Sequence, residues 1–276
     1  MKPLAPESSG APVSSRVPAV VLRDGATSAG EECVAEEVAV ALEVNGISHA
    51  VMLATPADLD DFALGFLLSE GLIDSRSDLL DVESEPVGRD IALQITVTQR
   101  CLYRFKERRR AMAGRTGCGL CGTESLSEAV RPVRGTVART VVDASAIARG
   151  MAALAAAQTL QRATGATHAA AWVALDGSLR MLREDVGRHN ALDKLIGAMA
   201  RAGADPADGF IVVTSRASYE MVHKTASAGV GLLAAISAPT GLAVRMADEA
   251  GLALAGFARG AQATLYTHAD RVRAGR

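Results

Sequence analysis

The sequence predicts an α/β fold in which a mostly parallel sheet is covered by helices on both faces. In the second half of the chain, short apolar runs that suit buried strands alternate with longer segments that suit helices. Such alternation is typical of parallel sheets, because a helix usually connects one strand to the next. Aromatic residues make up only 3% of the 276 residues, so the core must consist mainly of Ala, Val, Leu and Ile.

The first half of the chain predicts a smaller α+β part. Residues 1–18 are rich in Pro, Ser, Ala and Gly, and we expect them to be disordered. Asn45-Gly46 is typical of a two-residue hairpin turn, and it joins predicted strands over 34–44 and 47–54.

A helix is predicted immediately after this hairpin. Thr55-Pro56 offers an N-capping hydroxyl followed by a proline that fits the first helical turn. The helix should run to about Glu70 and end at Gly71. A strand over 91–98 and a very basic helix over 100–113 complete this part.

The second half alternates between the two kinds of element. We predict helices over 144–164, 186–201, 219–229 and 240–250, and strands over 167–175, 210–214, 232–237, 252–257 and 264–267. The chain is therefore divided into a tail (1–18), an α+β domain (19–114), a cysteine loop with a linker (115–140) and an α/β domain (141–276).

Composition excludes several classes of protein. The net charge is −2, so no global field attracts nucleic acid or anionic lipid. The longest apolar stretch, residues 226–239, is shorter than the roughly 20 residues that a membrane-spanning helix needs. The first ten residues lack a signal-peptide pattern, and we expect a cytoplasmic protein. Four cysteines in a chain of this length do not make a disulfide scaffold.

Two cysteines carry the strongest chemical signal. Cys118 and Cys121 stand three residues apart in the glycine-rich run 115–122. The preceding segment 100–110 is strongly basic, and within it only Glu107 is acidic. Positive charge favours the thiolate, which is the nucleophilic form of cysteine. The neighbouring glycines permit an accessible loop, so the pattern predicts sulfur chemistry.

Three other kinds of cysteine site fit this sequence less well. Structural zinc usually takes four Cys or His ligands, but Cys33 and Cys101 are isolated and supply no second pair. A thioredoxin-like pair normally follows a strand rather than a basic helix. The zinc-deaminase pattern needs proline where this chain has Gly117. We expect no bound metal, and half of a zinc site remains the alternative.

Polar residues at a strand-to-helix junction form a second candidate site. Arg188 and His189 lie within the charged run 183–194, at a place where backbone N–H groups bind anions. Both side chains can form charge-assisted hydrogen bonds to phosphate or contact a pterin ring. A solvated helix start capped by Asp185 is the alternative.

Similar polar runs follow the next apolar strands. Ser215 and Arg216 begin the run 214–224, and residues 237–240 follow the next strand, at positions where open parallel sheets bind ligands. Plain helix caps are the alternative, and Lys224 inside the predicted helix can be merely exposed. Arg259 beside Gly260 allows a guanidinium and bare backbone to approach a phosphate together, although an ordinary turn is also possible. We assign no chemistry to His168.

Together these motifs resemble the FdhD family of formate dehydrogenase accessory sulfurtransferases. The glycine-flanked cysteine pair and the Asp-Val-Gly-Arg-His-Asn run at 185–190 are the most specific features. The resemblance spans about residues 35–270. The matching stretches are 45–46, 55–56 with Gly65, 70–71, 115–122, 184–194, 214–224, 237–240 and 256–268.

The resemblance implies a cytoplasmic, homodimeric sulfur carrier. Such a protein takes sulfane sulfur from a cysteine desulfurase and passes it to the molybdenum or tungsten of a bis-molybdopterin guanine dinucleotide cofactor. The cofactor, for which GDP is the expected surrogate ligand, is then inserted into formate dehydrogenase. The resemblance also implies a cytidine-deaminase-like core of three layers, with a mostly parallel sheet between helices.

The resemblance implies individual roles as well. Cys118 corresponds to the cysteine that carries the persulfide, and Cys121 to a helper or resolving thiol. The cofactor-binding segment corresponds to Phe257, Ala258, Arg259, Gly260, Ala261 and Gln262. A cofactor chaperone that moves no sulfur and an adaptor held by a zinc clip remain the alternative functions.

Overall fold

The computed structural model describes residues 11–113, 133 and 135–274, and it has two parts that each contain a sheet. The first part is built from hairpins and two helices. Its strands are β1 (Ser14–Arg23), β2 (Ala26–Ala35), β3 (Val38–Val44), β4 (Ile47–Ala54), β5 (Leu79–Val87) and β6 (Asp90–Val97), and its helices are α1 (Leu59–Ser69) and α2 (Gln99–Ala113).

A four-stranded sheet with the order β4-β3-β6-β5 forms the centre of the first part. The predicted hairpin is confirmed, because β3 and β4 pair on either side of Asn45-Gly46. Both turn residues have positive φ angles, of 48° and 75°, as a type I′ turn requires. Leu42 and Leu93 on one face of the sheet are fully buried, where α1 and α2 cover them. The alternation of apolar residues thus predicted this sheet correctly.

The predicted start of α1 at Thr55-Pro56 is wrong. The helix begins at Leu59, and its N-cap is Asp58, which has a left-handed backbone with φ 53°. Thr55 is fully buried instead of capping the helix, and its N–H and hydroxyl bond to residues of the second part. Tertiary hydrogen bonds therefore replace the local cap that the sequence suggests.

The predicted tail also extends too far. β1 begins at Ser14 and pairs with β2 in an antiparallel two-stranded ribbon, so residues 14–18 form a strand. Asp24 and Gly25 make the turn with positive φ angles. In the described part of the chain, no helix is both long and apolar enough to cross a membrane.

The second part alternates between strands and helices as predicted. In chain order, its elements are β7 (Val142–Asp143), α3 (Ala144–Ala157), α4 (Thr159–Thr164), β8 (His168–Ala174), β9 (Leu179–Asp185), α5 (Arg188–Ala202), β10 (Gly209–Val213), α6 (Tyr219–Ser227), β11 (Leu232–Ala235), α7 (Gly241–Glu249), β12 (Ala253–Arg259), β13 (Gln262–Thr267) and β14 (Val272–Arg273). The single helix predicted over 144–164 is interrupted at Gln158, and no strand was predicted over 179–185.

The prediction of a mostly parallel sheet is wrong. The six strands have the order β13-β12-β11-β10-β8-β9, and only β10–β11 and β11–β12 are parallel pairs. The pairs β8–β9, β8–β10 and β12–β13 are antiparallel. Asp176-Gly177 and Gly260-Ala261 close direct hairpins, so no crossover helix separates the strands on either side of them.

Helices nevertheless cover both faces of this sheet, as predicted. Along β10, Ile211 and Val213 pack in a cluster with α5, α6 and α7, whereas Phe210 and Val212 pack with α3 on the other face. The result is a mixed α/β fold with a central sheet between helical layers. The likeness to cytidine deaminases and the domain boundary within 115–140 stay predictions.

The two parts meet where α1 crosses α5 at backbone contact. Gly65 of α1 lies against the backbone of Asp193, and Gly197 of α5 lies against the backbone of Asp61. A Cβ atom on Gly65 would stand 1.7 Å from the Asp193 carbonyl oxygen, and one on Gly197 would stand 1.9 Å from the Asp61 carbonyl oxygen. Only glycine at both positions permits the helices to approach this closely.

We predict that Gly65→Ala lowers the free energy of unfolding by about 3 kcal/mol, because backbone atoms must move to admit the methyl group. Urea unfolding followed by circular dichroism measures the loss. Gly30→Ala is the matched control, since nothing lies within 4 Å of a Cβ at Gly30, and its effect should stay within about 0.5 kcal/mol. Equal stability of the two variants would contradict the close crossing.

Candidate functional site

The polar segments singled out in the sequence lie along one edge of the six-stranded sheet. β10, β11 and β12 run in the same direction, so the segments that follow them lie side by side. Ile236 donates its N–H to the Val213 carbonyl at 3.1 Å, and Phe257 donates its N–H to the Ser237 carbonyl at 3.2 Å. β9 also ends at this edge, which we call the polar edge: residues 185–189, 214–218, 236–240 and 256–262.

Ser215 and Arg216 follow β10 on the polar edge. Ser215 is buried and its hydroxyl donates to the carbonyl of Arg216 at 2.9 Å, whereas Arg216 is exposed. Thr214 bonds back to Ala169 at the start of β8 through both its N–H and its hydroxyl. The Ser215 hydroxyl is therefore used in shaping the turn, and Arg216 is the side chain of this segment that faces solvent.

The segment 257–262 forms the end of the β12–β13 hairpin. Phe257 has a left-handed backbone with φ 50°, and its side chain is exposed. Ala258 is buried on the α3 face of the sheet, while Arg259 is exposed and its Nε donates to the Ile236 carbonyl at 3.1 Å. Both interpretations made from the sequence thus apply to one structure: the segment is a turn, and it presents a guanidinium beside Gly260.

A shallow pocket lies between this hairpin and α3. Its volume is about 110 Å³, which is smaller than the roughly 300 Å³ at which small-molecule pockets begin. Its lining is mostly apolar and includes Ile147, Met151, Gly260, Gln262 and Leu265. The pocket alone is too small for a dinucleotide.

Arg188 and His189 begin α5 at the other end of the polar edge. The N-cap of this helix is Gly187, and no side chain caps it, so its first N–H groups are not bonded by an N-cap side chain. The Arg188 Nε is buried and makes no hydrogen bond with the described residues. His189 Nε2 lies 2.7 Å from Glu220 Oε2 of α6, and this contact lowers the pKa of Glu220.

His168 lies next to the polar edge, and no role was assigned to it from the sequence. It starts β8, directly opposite Asp185, and burial lowers its pKa, as do the nearby Arg188 and His189. The Asp176-Gly177 turn could have revealed this position. Counting residues outward from the turn along both strands places His168 opposite Asp185. Two histidines and an arginine therefore meet where the sequence predicts only Arg188 and His189.

Three consecutive charged residues at the end of β9 bind three different elements. Arg183 donates to Asp61 of α1 at 2.6 Å and 2.9 Å, and Glu184 accepts the N–H groups of Leu160 and Gln161 in α4. Asp185 is fully buried. The alternative in which Asp185 caps a solvated helix start is therefore wrong, since its carboxylate faces the first part of the chain.

Lys224 is also buried, so the alternative in which it is merely exposed is wrong. Its Nζ donates to both oxygens of Asp193, at 2.9 Å and 3.0 Å, and to Ser69 and Glu70 of α1 at 2.9 Å and 3.2 Å. Burial alone would lower the pKa of Lys224, but the carboxylates of Asp193 and Glu70 outweigh it and raise the pKa. This charge cluster joins α1, α5 and α6.

The cysteine pair lies beyond α2. Cys118 and Cys121 fall outside the described residues, whereas Cys33 is half-buried and Cys101 is buried, and both are free thiols. The basic start of α2 is less positive than its sequence suggests. Arg100 pairs with Asp74 and Asp78, and Arg104 pairs with Asp74 at 3.0 Å. Within the basic run only Glu107 is acidic, but Asp74 and Asp78 from outside the run also neutralise part of its positive charge.

Comparisons with known proteins agree on one family. The model of the FdhD/NarQ family matches residues 35–273. The chain is 54% identical over 240 residues to the sulfur carrier protein FdhD of Bordetella petrii, covering 87% of this chain and 86% of that one. It is 55% identical over 242 residues to the protein of that name from Cupriavidus necator, covering 87% and 83%.

A solved structure shares the fold. The crystal structure of a putative formate dehydrogenase accessory protein from Desulfotalea psychrophila superposes with a TM-score of 0.75 at 21% identity. The superposition covers 95% of this chain and all of that one. It supports the mixed α/β architecture of the described residues.

We predict that Asp78→Asn flattens the loss of stability in acid. Burial raises the pKa of Asp78, but hydrogen bonds from Arg100, Asp74 and Ser75 outweigh it and hold the pKa well below the usual value of 3.8. The carboxylate therefore contributes its full stabilisation above the unfolded pKa of about 4 and loses it as the pH falls further. Urea unfolding at pH 5, 4 and 3 measures this slope.

Arg100→Met is the companion variant for this prediction. It removes the guanidinium 2.9 Å from Asp78, so a smaller flattening should appear, because the N–H groups of Asp74 and Ser75 still bond to this carboxylate. Wild-type slopes in both variants would show that this ion pair does not anchor the start of α2.

Proposed function

This chain belongs to the FdhD/NarQ family, and on that premise we propose that it is a sulfur carrier for the molybdenum cofactor of formate dehydrogenase. Sulfane sulfur comes from a cysteine desulfurase and goes to bis-molybdopterin guanine dinucleotide, which the protein binds as substrate. In this proposal the protein acts in the cytoplasm as a homodimer. The observation that carries the proposal is the 54–55% identity to sulfur carrier proteins over 87% of the chain.

Loading is the first step of the proposed reaction. The Cys118 thiolate attacks the outer sulfur of the desulfurase persulfide, and the S–S bond of that persulfide breaks. A neutral sulfur atom thereby passes to Cys118, and the desulfurase cysteine leaves as a thiolate. The remaining basic residues of α2, which leads directly to the cysteine run, would favour the thiolate form.

Delivery is the second step. The Cys121 thiol attacks the inner sulfur of the Cys118 persulfide, so that a Cys118–Cys121 disulfide forms and the outer sulfur leaves as hydrosulfide. The two thiols supply the two electrons that convert sulfane sulfur into sulfide. The spacing of three residues makes this ring closure local, which agrees with a helper or resolving role for Cys121.

The polar edge is the proposed binding site for the guanine dinucleotide. It combines Arg188 at an α5 start without a side-chain cap, Arg216 after β10 and Arg259 on the β12–β13 hairpin. Guanidinium groups and helix N-termini are the groups that proteins use most readily for phosphate. Phe257, with its exposed ring, can contact the apolar face of a guanine or pterin.

Two alternative functions use the same residues differently. A cofactor chaperone would bind GDP at the polar edge without ever carrying sulfur. A zinc-clip adaptor would hold about one zinc per chain through Cys118 and Cys121, and it would lose the metal in Cys121→Ala. Sulfur loading excludes the chaperone, and plasma emission spectroscopy of tag-free protein separates the adaptor from both.

We predict that Cys118 carries the persulfide. Incubation with a cysteine desulfurase and cysteine should add one sulfur, about 32 Da, and a reductant should remove it. Whole-protein mass spectrometry detects this gain. Cys118→Ala should not load, whereas Cys121→Ala should load but fail to deliver.

Cys33→Ala is the control for this experiment, because Cys33 is a partly accessible free thiol in the β1–β2 ribbon. It should load like the wild type. If Cys118→Ala loads fully and Cys33→Ala does not, Cys33 carries the persulfide and the assignment to Cys118 is wrong.

We predict that Arg259→Ala weakens GDP binding about ten- to a hundredfold, because it removes a charge-assisted contact worth roughly 1.5–3 kcal/mol. Isothermal titration calorimetry measures the affinity. Arg149→Ala is the matched control, since Arg149 is also exposed and its Nε donates to the carbonyl of Asp176 at the opposite edge of the sheet. Equal affinities in both variants would place the ligand elsewhere.

A further inference from the structure

We propose that Thr55, which belongs to the first part of the chain, positions Arg188 for ligand binding at the polar edge. This inference rests on the function proposed above and adds a residue that touches no ligand. It concerns the turn Val186-Gly187, which connects β9 to the first residue of α5. The direction of this turn decides where the Arg188 side chain begins.

Thr55 makes one hydrogen bond to this turn and two more to the elements on either side of it. Its hydroxyl accepts the Val186 N–H at 3.2 Å, its own N–H donates to Asp185 Oδ2 at 3.0 Å, and its carbonyl accepts from Lys194 Nζ at 2.9 Å. Thr55 is fully buried, so water does not compete for these bonds. The β4–α1 junction therefore acts as a fixed frame for the turn.

Asp185 completes this frame from within the turn. Its Oδ1 accepts the Gly187 N–H at 2.7 Å and the Asn190 side-chain amide at 3.0 Å, and its Oδ2 lies 2.6 Å from Lys194 Nζ. Asn190 in turn donates to the Leu53 carbonyl at 2.7 Å. Residues 53–55 thus contact the turn directly and also through both polar side chains that brace it.

Glycine is required within the turn by this packing. A Cβ on Gly187 would lie 2.8 Å from the Asn190 side-chain nitrogen and 3.4 Å from Asp185 Oδ1. Arg188 follows immediately, and its Nε is buried without a hydrogen bond among the described residues. Since no hydrogen bond from the described residues fixes Arg188 Nε, the placement of this side chain depends on the backbone before it, which is the part that Thr55 fixes.

Thr55→Val and Thr55→Ser test the hydroxyl with little change in shape. Valine removes the acceptor for the Val186 N–H, so GDP affinity should fall about threefold to tenfold, a part of the loss expected when a charged contact is removed altogether. Serine keeps the acceptor and should restore the wild-type affinity. Thr267→Val is the control, because it removes a buried threonine acceptor of the Leu254 N–H at the opposite edge of the sheet, and it should leave GDP affinity unchanged.

A double-mutant cycle separates positioning from a general loss of stability. If Thr55 acts through Arg188, then Thr55→Val should cause no further loss in an Arg188→Ala background, yet its full loss in an Arg259→Ala background. Equal losses in both backgrounds, or wild-type affinity of Thr55→Val, would overturn the inference. If Thr55→Val does not fold, Asn190→Ala goes through the same cycle, since it removes the bond to Leu53. Wild-type protein that does not bind GDP would instead overturn the proposed ligand site itself.

Discussion

The crossing of α1 and α5 at backbone contact is the constraint on which the rest of the structure depends. Gly65 and Gly197 let the two helices approach until each meets the other's main chain. Asp61 and Asp193, whose backbones lie against these glycines, have buried side chains, and buried charged groups must be paired. The glycines thus decide both how the two parts of the chain join and which residues must neutralise each other at the join.

The pairing of those charges follows from this geometry. Lys224 reaches Asp193 and Glu70, Arg183 reaches Asp61, and Lys194 lies 2.6 Å from Asp185. Each pair joins two different elements and includes a buried carboxylate, so separating a pair weakens the compensation of a buried charge. Asp61 keeps a second partner, because Arg201 Nε lies 3.2 Å from its Oδ1. The attraction within a buried pair is largely offset by the loss of hydration, and its main effect here is to fix one arrangement of α1, α5 and α6. This arrangement also fixes the position of α5, whose first two residues belong to the polar edge.

Local patterns predicted the elements well, because they depend on neighbours in the sequence. The Asn45-Gly46 hairpin, the basic helix α2 and the order of elements from α5 to β13 were evident from turn residues and apolar periodicity. Parallel pairing was overestimated, since the charged strand β9 carries no apolar run. β9 lies at the edge of the sheet, and its residues Arg183 and Glu184 bind partners in α1 and α4. A strand therefore forms where the apolar pattern predicts a loop.

The candidate site was predictable only in part, for a related reason. Residues that stay exposed, such as Arg216 and Arg259, were recognised by their position after apolar strands. Thr55 was misassigned and the role of Lys224 was left open, because their partners lie 130 and 31 residues away in sequence, at Asp185 and Asp193. A threonine before proline predicts a helix cap from its neighbours alone, and only the tertiary structure shows that a buried carboxylate binds its N–H instead.

The width of the polar edge limits what it can bind. Arg188 follows β9 and Arg259 ends β12, and four strand spacings separate these strands in the sheet. At about 4.8 Å for each spacing, the strand axes lie about 19 Å apart. A single phosphate ion cannot contact both guanidinium groups across that distance, but an extended nucleotide can lie between two long side chains that reach toward each other. Because hydrogen bonds from the β4–α1 junction hold the turn at the Arg188 end of this row, the proposed site would select a ligand by its length as well as by its charge.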